Sequence, residues 1–292
     1  MVVEKLEIQN FPGVTNSGQS QVVIPLYRLP LREEEEISLC TVRKHIPGNR
    51  ITFVSPESLP TSGWMIEGES FERFDDSYFQ SIDGYNRLLT SSLFYKRFEG
   101  LSHLLICQLD CLIFSNELNL WSNAGFDYIA APWFRNFMED PSQGLWRVGN
   151  GGFSLRNVDS HLRVLQKKII KGSIYPKHGA SPWNARDAVS ELGIYEKMVP
   201  WFRRVNPLAT WTTVEDEIQR YPRNEDLFWG IEAPKFDSTF KVATADQSLP
   251  FAFEMAPLWC YEKNARKLPF GCHAWARYDR VFWEEMLKNH GH

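Results

Sequence analysis

The sequence lacks the features that mark several specialised classes of protein. No apolar run approaches the ~20 residues needed to span a membrane. The 32 Lys and Arg residues are scattered along the chain, and with 36 Asp and Glu residues they give a net charge of -4. A dedicated nucleic-acid binder would carry a clustered basic face instead. The first residues, MVVEKLEIQNFPG, lack the basic and apolar segments of a signal peptide. We therefore expect a cytoplasmic protein without a transmembrane segment, and no nucleic-acid partner.

Cysteine is also sparse and unpaired in pattern. There are 5 cysteines, an odd number, and none forms a CxxC pair. This usage is typical of reduced thiols in a cytosolic protein. Cys107 and Cys111 are four residues apart, but in a strand such residues lie too far apart to clamp zinc. The sequence therefore predicts neither a disulfide framework nor a zinc site.

What is present indicates an ordinary globular core. The chain has 292 residues, 43% of them hydrophobic and 23% charged. This length favours one large α/β domain over two domains. Eleven Trp residues are too many for all of them to be fully buried. Exposed rings could stack on sugars or bases, and surplus core packing explains them equally well.

The hydrophobic pattern predicts a βαβ unit near the start of the chain, over residues 21–55. The apolar runs Gln21–Tyr27 and Ile51–Ser55 are typical of buried strands, and between them a helix begins at Glu33 and stops at Pro47. Such a unit implies a parallel sheet with a right-handed crossover. Further along, the pattern predicts a helix over 84–98, strands over 103–114 and 126–134, an amphipathic helix over 158–172 and a terminal helix over 277–289.

One carboxylate lies inside an apolar run, LLICQLDCLIF, as Asp110. The run predicts a strand, and ligands of open α/β sheets bind beyond the carboxyl ends of the strands. Carboxylate oxygens suit Mg²⁺ or Mn²⁺, which use one or two of them together with phosphate oxygens. Gln108 would share the face of Asp110. The alternative is a carboxylate that caps a nearby loop.

A second acidic position is the pair Glu225 and Asp226, which lies in the aromatic segment YPRNEDLFWG. Apolar walls and an adjacent carboxylate would raise the pKa of one of the pair toward that of a general base. The same residues also fit the first turn of a helix capped by Asn224. The two interpretations are compatible, since a cap would hold the pair in place.

The glycine cluster VGNGGFSLR and a late histidine complete the candidates. Backbone at Gly149, Asn150, Gly151 and Gly152 can approach a ligand closely and direct N–H groups at anions, although a tight turn without a ligand explains it equally. The cluster matches neither GxGxxG nor a P-loop. His273, in FGCHAW, is a candidate metal ligand or proton carrier, or a structural histidine.

Together these segments resemble a nucleotide-sugar-dependent glycosyltransferase of the GT-A type. More closely, the chain resembles the bacterial and viral family known as domain of unknown function 5672. The matching segments occur in the family's order and cover roughly residues 22–275: GYNRLL, FYKRF, LLICQLDCLIF, FDYIAAPWF, VGNGGFSLR, NEDLFWG and FGCHAW. The pair VGNGGFSLR and NEDLFW is the specific part of the match.

The resemblance implies a single GT-A-like domain with a central, mostly parallel, twisted sheet flanked by helices. It divides into a loose lead-in (1–20), a Rossmann-like nucleotide-binding half (21–115) and an acceptor and catalytic half (116–292). GT-A enzymes hold a divalent cation, Mn²⁺ or Mg²⁺, with a DxD-type motif, which here has Gln108 in place of its first Asp.

The resemblance also implies roles for individual residues. It makes Asp226 the general base, accompanied by Glu225, and Asp110 and His273 the metal ligands. The other implied contacts are to the donor, from Pro25, Tyr27, Arg28, Gln108, Asp110, Gly151 and Gly152, and to the acceptor, from Trp133, Asn150 and Trp229, with Trp146 a further ring that could stack on a sugar.

The expected activity is transfer of a sugar from a nucleotide-sugar donor to a glycan or other hydroxyl acceptor, with inversion. The acceptor could be lipid-linked, which would bring the protein to a membrane periphery. The alternative is a carbohydrate- or nucleotide-binding module that kept the fold and lost the chemistry, as the incomplete DxD suggests. A nucleotidyltransferase is disfavoured because PLYRLPLREEEE, after the first strand, has no glycine-rich loop.

Overall fold

The computed structural model describes residues 19–61, 64–135, 140–171, 210–219, 221 and 223–289. Nearly all of the expected loose lead-in, 1–20, lies outside this part. Within it the strands are β1 (Gln21–Pro25), β2 (Ile51–Pro56), β3 (Ser70–Phe74), β4 (His103–Cys107), β5 (Leu112–Ile113), β6 (Tyr128–Ala130), β7 (Pro132–Phe134), β8 (Leu145–Val148), β9 (Phe153–Asn157), β10 (Lys168–Ile170), β11 (Trp211–Thr213), β12 (Ala252–Phe253) and β13 (Gly271–Cys272).

The helices of the described residues are short, apart from the first and the last. They are α1 (Glu33–His45), α2 (Ile82–Leu89), α3 (Ser92–Lys96), α4 (Leu118–Ser122), α5 (Val158–Leu165), α6 (Val214–Ile218), α7 (Glu225–Leu227), α8 (Ala233–Phe236), α9 (Ala245–Ser248), α10 (Pro257–Lys263) and α11 (Arg280–Asn289). A π-helical turn, Phe228–Glu232, joins α7 to α8. None of these helices is long and apolar enough to cross a membrane.

A six-stranded sheet in the order β3-β2-β1-β4-β9-β6 forms the centre of the molecule. The strands β3, β2, β1 and β4 are parallel, whereas β9 runs antiparallel to both of its neighbours. The helix α1 connects β1 to the parallel β2, which confirms the predicted βαβ unit. The fold is therefore the predicted α/β class, with a central, mostly parallel sheet flanked by helices.

Both faces of this sheet are covered, so its strands are apolar on both sides. In β1, Val22 and Ile24 pack into one core cluster, and Val23 packs into the cluster on the opposite face. All three side chains are buried. The continuous apolar run that predicted a buried strand follows from this two-sided burial.

The predicted helix over 84–98 is two helices. Its second part begins again at Ser91, whose hydroxyl accepts a hydrogen bond from the Phe94 backbone N–H at 3.2 Å. A serine at this position competes for backbone donors and favours a helix start over a helix interior. The helix predicted over 158–172 also stops early, because α5 ends at Leu165 and β10 follows.

Both long predicted strands are interrupted as well. The segment 103–114 divides into β4 and β5 around a turn in which the Cys111 N–H donates to the Gln108 carbonyl at 3.0 Å. The segment 126–134 divides into β6, which belongs to the central sheet, and β7, which pairs with β8. Apolar character alone did not distinguish one strand from two that belong to different sheets.

A small three-stranded sheet, β12-β13-β5, holds the turn that follows β4. The strands β12 and β13 are parallel, and β13 is antiparallel to β5. The Trp275 N–H donates to the Asp110 carbonyl at 3.2 Å. This contact fixes the backbone of the turn against the C-terminal part of the chain.

Candidate active site

Asp110 lies just beyond the carboxyl end of β4, in the turn that separates β4 from β5. The adjacent strand β9 runs in the opposite direction, so its first residues reach the same edge of the sheet. There the Gln108 N–H donates to the Gly152 carbonyl at 2.8 Å. Asp110 and the glycine cluster at 149–152 are about 40 residues apart in sequence. They are nonetheless neighbours in space.

His273 faces Asp110 from the residue that follows β13. Its Nε2 lies 3.4 Å from Asp110 Oδ1, and its Nδ1 lies 2.9 Å from Glu254 Oε1. Glu254 follows β12, the parallel neighbour of β13, so the two side chains leave equivalent strand ends. The imidazole is therefore held between two carboxylates.

These charges determine the protonation of the imidazole. Burial disfavours the charged ring, but the carboxylates of Asp110 and Glu254 outweigh it and raise the pKa of His273 to about 9. A cation at this point would take the place of the ring proton in balancing the carboxylates. The two carboxylates thus stabilise a positive charge between them.

Asn150 connects this imidazole to the glycine turn. Its Oδ1 accepts from the N–H groups of Gly152 and Phe153, at 2.8 and 2.9 Å. Its Nδ2 lies 2.9 Å from His273 Nδ1. Because Asn150 is only 2% exposed, its side chain is part of the framework of the site. The structure thus places it behind the imidazole, and not at an acceptor surface.

The glycines of the cluster are required by packing. A Cβ at Gly152 would lie 2.2 Å from His273 Nε2, and one at Gly151 would lie 2.6 Å from Glu225 Oε1. A Cβ at Gly149 would lie 2.0 Å from the ring of Trp133. All three distances are below any real carbon contact, and none of these glycines has a positive φ. The turn is glycine-rich because the candidate side chains occupy the space around it.

Glu225 is tied into a buried ion pair. Both of its carboxylate oxygens accept from Arg156 of β9, through Nη1 and Nη2, at 2.9 Å each. The side chains of Arg156 and Glu225 are 0% and 2% exposed. A carboxylate engaged at both oxygens is not placed to exchange protons, so Glu225 supports its neighbour instead of serving as the base. Asn224 occupies the N-cap position of α7, but its side chain forms no capping hydrogen bond.

Asp226 differs sharply from the residue before it. Burial and the adjacent Glu225 carboxylate raise the pKa of Asp226 to about 7, although the Leu227 N–H donates to Oδ1 at 2.8 Å. The charge of Glu254 also raises the pKa of Asp226, and the charges of both carboxylates raise the pKa of His273. A carboxyl group with a pKa near neutrality can accept a proton at physiological pH.

The tryptophan candidates are part of the core. Trp229 is 0% exposed, packs against His161 at 4.2 Å between ring centroids, and donates from its indole N–H to the Leu89 carbonyl. Trp133 is 6% exposed and covers Gly149. Neither ring presents a face to a sugar, which corrects the predicted acceptor contacts. Trp146 is partly buried, with the Arg147 guanidinium 5.6 Å from its ring.

The end of β1 lies beside the same edge of the sheet. Pro25 is the last residue of β1 and is buried. Tyr27 is 56% exposed, and partial burial together with the charges of Glu35 and Asp110 raises the pKa of its phenol. Arg28 forms an ion pair with Glu35. Tyr27 is therefore within electrostatic reach of Asp110, whereas the charge of Arg28 is already balanced.

Part of this cluster has the composition of a divalent-cation site. Ligand atoms of Asp110, Cys111 and His273 lie within 4.8 Å of one another. The Asp110 oxygen and the His273 nitrogen fit a hard or borderline cation, and Glu254 is the outer carboxylate that orients a ligating imidazole. Cys111 does not fit, since it is buried, donates to the Gly152 carbonyl at 3.3 Å, and has a thiol pKa raised well above the ordinary value by burial.

Sequence reasoning missed Glu254 and Arg156. Glu254 follows a strand of only two residues, in the short segment FAFEM, so no periodicity marked it. Arg156 could have been found, because it is a charged residue at the end of the otherwise buried segment of β9, FSLRN, where a buried partner is required. Tyr85 of α2 was also missed; burial raises the pKa of its phenol, and the nearby Gln108 and Arg156 side chains act to lower it.

Comparisons with solved structures give distant likenesses. The chain is similar to the crystal structure of a glycosyltransferase involved in the glycosylation of the major capsid of PBCV-1, with 10% identity, 92% of this chain and 98% of that chain covered, and a TM-score of 0.42. It is also similar to mouse xyloside xylosyltransferase 1 in its apo form, with 11% identity, coverage of 87% and 97%, and a TM-score of 0.46.

Sequence comparison is more definite at the level of the family. No curated protein matches the chain. A family model matches residues 69–273, more than half of the chain, and this range contains Asp110, Asp226 and His273. The chain therefore belongs to the family described as Protein of unknown function (DUF5672).

Proposed function

We propose that this protein is a glycosyltransferase that moves a sugar from a nucleotide-sugar donor to a hydroxyl group of a glycan or lipid-linked acceptor. One observation carries the proposal: Asp226, a carboxyl group with a pKa of about 7, lies against the same glycine turn as the Asp110–His273 pair. A Cβ at Gly151 would lie 4.0 Å from Asp226 Cβ, and one at Gly152 would lie 2.2 Å from His273 Nε2. Transfer of a sugar from a nucleoside diphosphate uses a general base for the acceptor hydroxyl and a cation for the leaving diphosphate, and these residues could supply both.

The donor diphosphate is assigned to the side of Asp110. Asp110 and His273 would hold a divalent cation, Mn²⁺ or Mg²⁺, with Glu254 orienting the imidazole. When bound, such a cation neutralises the charge that develops on a diphosphate leaving group. Tyr27, at the exposed end of β1, is the residue best placed to contact the nucleotide. Further donor contacts are assigned to Pro25, Arg28, Gln108, Gly151 and Gly152.

The acceptor is assigned to the side of Asp226. The deprotonated carboxylate takes the proton of an acceptor hydroxyl while that oxygen bonds to the anomeric carbon. The bond from the anomeric carbon to the diphosphate oxygen breaks, and the nucleoside diphosphate leaves with the electron pair. Attack from the face opposite the leaving group inverts the configuration. Glu225, fixed by Arg156, keeps the Asp226 side chain in place and raises its pKa.

The test is the variant Asp226→Asn, assayed for sugar transfer and for donor hydrolysis at saturating substrate. Loss of a general base costs on the order of 10²–10⁴-fold in turnover. The matched control is Asp246→Asn, an exposed aspartate in the first turn of α9, which should retain wild-type turnover. Wild-type turnover by Asp226→Asn would remove the base assignment.

A second candidate is a binding module that has kept the fold without the reaction, and Gln108 is the observation that favours it. This residue stands where a DxD motif would have a carboxylate, and its side chain carries no charge. A binder would show a rise in melting temperature with nucleotide sugars but would release no nucleoside diphosphate. An enzyme would show both.

A further inference from the structure

A polar cavity of about 260 Å³ lies beside the proposed base. Its walls come from α2 and from the segment before α7, and they include Glu225. Asn86 of α2 joins the two walls, since its amide donates to Asn224 Oδ1 at 3.3 Å and its Oδ1 accepts from the Glu225 N–H at 3.4 Å. Because Asp226 follows Glu225 in α7, the cavity ends within one residue of the proposed base.

The charged groups of the cavity wall leave a positive excess. Of the described residues that line it, two are acids, Asp83 and Glu225, and two are bases, Arg87 and Arg223. Glu225 is already balanced by its bidentate ion pair with Arg156 behind the wall. Among the residues that the structure describes, the ion pairs include neither Arg87 nor Arg223. Two guanidinium groups therefore stand against the single carboxylate of Asp83.

The chemistry of the wall suits an oxyanion carried by a sugar. A guanidinium group presents a fork of N–H donors that matches the oxygens of a carboxylate or a phosphate. Uncharged polar side chains that can bond to sugar hydroxyl groups complete the wall, those of Asn86, Thr90 and Gln219.

The size of the cavity favours one sugar residue. Pockets for drug-sized ligands are about 300–1,000 Å³, and this cavity is smaller, at about 260 Å³. The donor side of the site also lies elsewhere, around Asp110 and His273.

We propose that this cavity binds the acceptor through an anionic group, a carboxylate or a phosphate, on the sugar that receives the transferred residue. This inference rests on the proposed function, since it assigns the acceptor of that reaction. Arg87 and Arg223 contact the anionic group, and Asp226 receives the proton of a nearby hydroxyl group of the same sugar.

The test is calorimetric binding of glucuronate, glucose 6-phosphate and glucose to the full chain. The expected result is that at least one of the two anionic sugars binds at least tenfold more tightly than glucose, and which of them does so distinguishes carboxylate from phosphate. The double variant Arg87→Gln/Arg223→Gln should lose this preference, because each charged hydrogen bond contributes on the order of tenfold in affinity. The matched control is Arg266→Gln, which removes an exposed guanidinium paired only with Glu262 among the described residues.

Three results would overturn the inference: equal affinity for glucose and for both anionic sugars, an unchanged preference in the double variant, or displacement of the bound anionic sugar by UDP. The last would make the cavity part of the donor site. Binding of UDP with Mn²⁺ is measured on the same variants, where its retention shows that the double variant is folded. Failure of UDP to bind, with the anionic preference intact, would count against the proposed function and not against the cavity.

Discussion

Arg156 and Glu225 form a buried ion pair with two parallel hydrogen bonds, each 2.9 Å long. The pair connects β9 of the central sheet to the first turn of α7, where the proposed base follows. It also separates the roles of two adjacent carboxyl groups, because Glu225 is fixed while Asp226 has a pKa of about 7.

The first prediction concerns the stability that depends on the ion pair. Arg156→Met leaves the Glu225 carboxylate buried without its partner, which costs about 3–5 kcal/mol in the free energy of unfolding. Urea denaturation measures it. The control is Arg266→Met, whose ion pair with Glu262 is exposed on both sides, at 72% and 50%, and contributes little to stability. An equal decrease in the free energy of unfolding in the two variants would show that the buried ion pair stabilises the fold no more than an exposed one.

The second prediction concerns the pH dependence of activity. Burial and the Glu225 charge raise the pKa of Asp226 to about 7, so the group is protonated below that pH and is then unable to act as a base. We expect kcat/KM to rise about tenfold per pH unit below pH 7 and to level off above it. The residual activity of Asp226→Asn should lack this step. A profile that is flat between pH 5 and 8 in the wild type would contradict the assignment.

The third prediction concerns Glu254, which sequence reasoning did not identify. Glu254→Gln removes the carboxylate that lies 2.9 Å from His273 Nδ1. Loss of such an outer partner weakens metal affinity by roughly 10–100-fold. Titration of Mn²⁺ in the presence of a nucleoside diphosphate, followed by the melting temperature, measures the change. Glu285→Gln, at an exposed position of α11, is the control, and identical Mn²⁺ titrations for the two variants would argue against a cation held by His273.

The fourth prediction concerns the steric role of the glycine turn. Gly152→Ala places a methyl group 2.2 Å from His273 Nε2, so the imidazole must move away from Asp110. We expect the metal-dependent rise in melting temperature with nucleotide to disappear. Gly125→Ala is the comparison, because its Cβ enters open space but its φ of +80° strains any side chain, so it should lower stability and leave nucleotide binding intact. A metal-dependent response retained by Gly152→Ala would exclude the proposed crowding.

The sequence predicted the parts of the fold that local pattern controls. The βαβ unit around α1 and the position of Asp110 past an apolar strand follow from two-sided burial and from acidic and proline signals at the ends of the helix. The division of 126–134 into two strands depends on which partner each half pairs with, and that information lies 11 or more residues away in β8 and β9. Local pattern could not supply it.

In the candidate site, too, some residues could be predicted from local sequence and others depend on distant pairing. Asp110, Asp226 and His273 could be proposed because a carboxylate in an apolar run, an acidic pair and a histidine near glycine are visible along the chain. Glu254 could not, because its role comes from the parallel pairing of two strands that are two residues long each. The tryptophans were misassigned for a related reason: composition shows that many rings are present, but only packing shows that Trp229 is enclosed by other rings.

The place of β4 in the sheet order has a consequence for how the protein folds. Its pairing with β9 joins residues about 50 positions apart, such as Ile106 and Ser154, whereas its pairing with β1 joins residues more than 80 positions apart, such as Gln21 and Leu104. Contacts of large sequence separation form slowly, because closing the intervening chain costs entropy before any pairing is gained. We expect β4 and β9 to pair before β4 joins β1, so that the glycine turn meets Asp110 before the central sheet is complete.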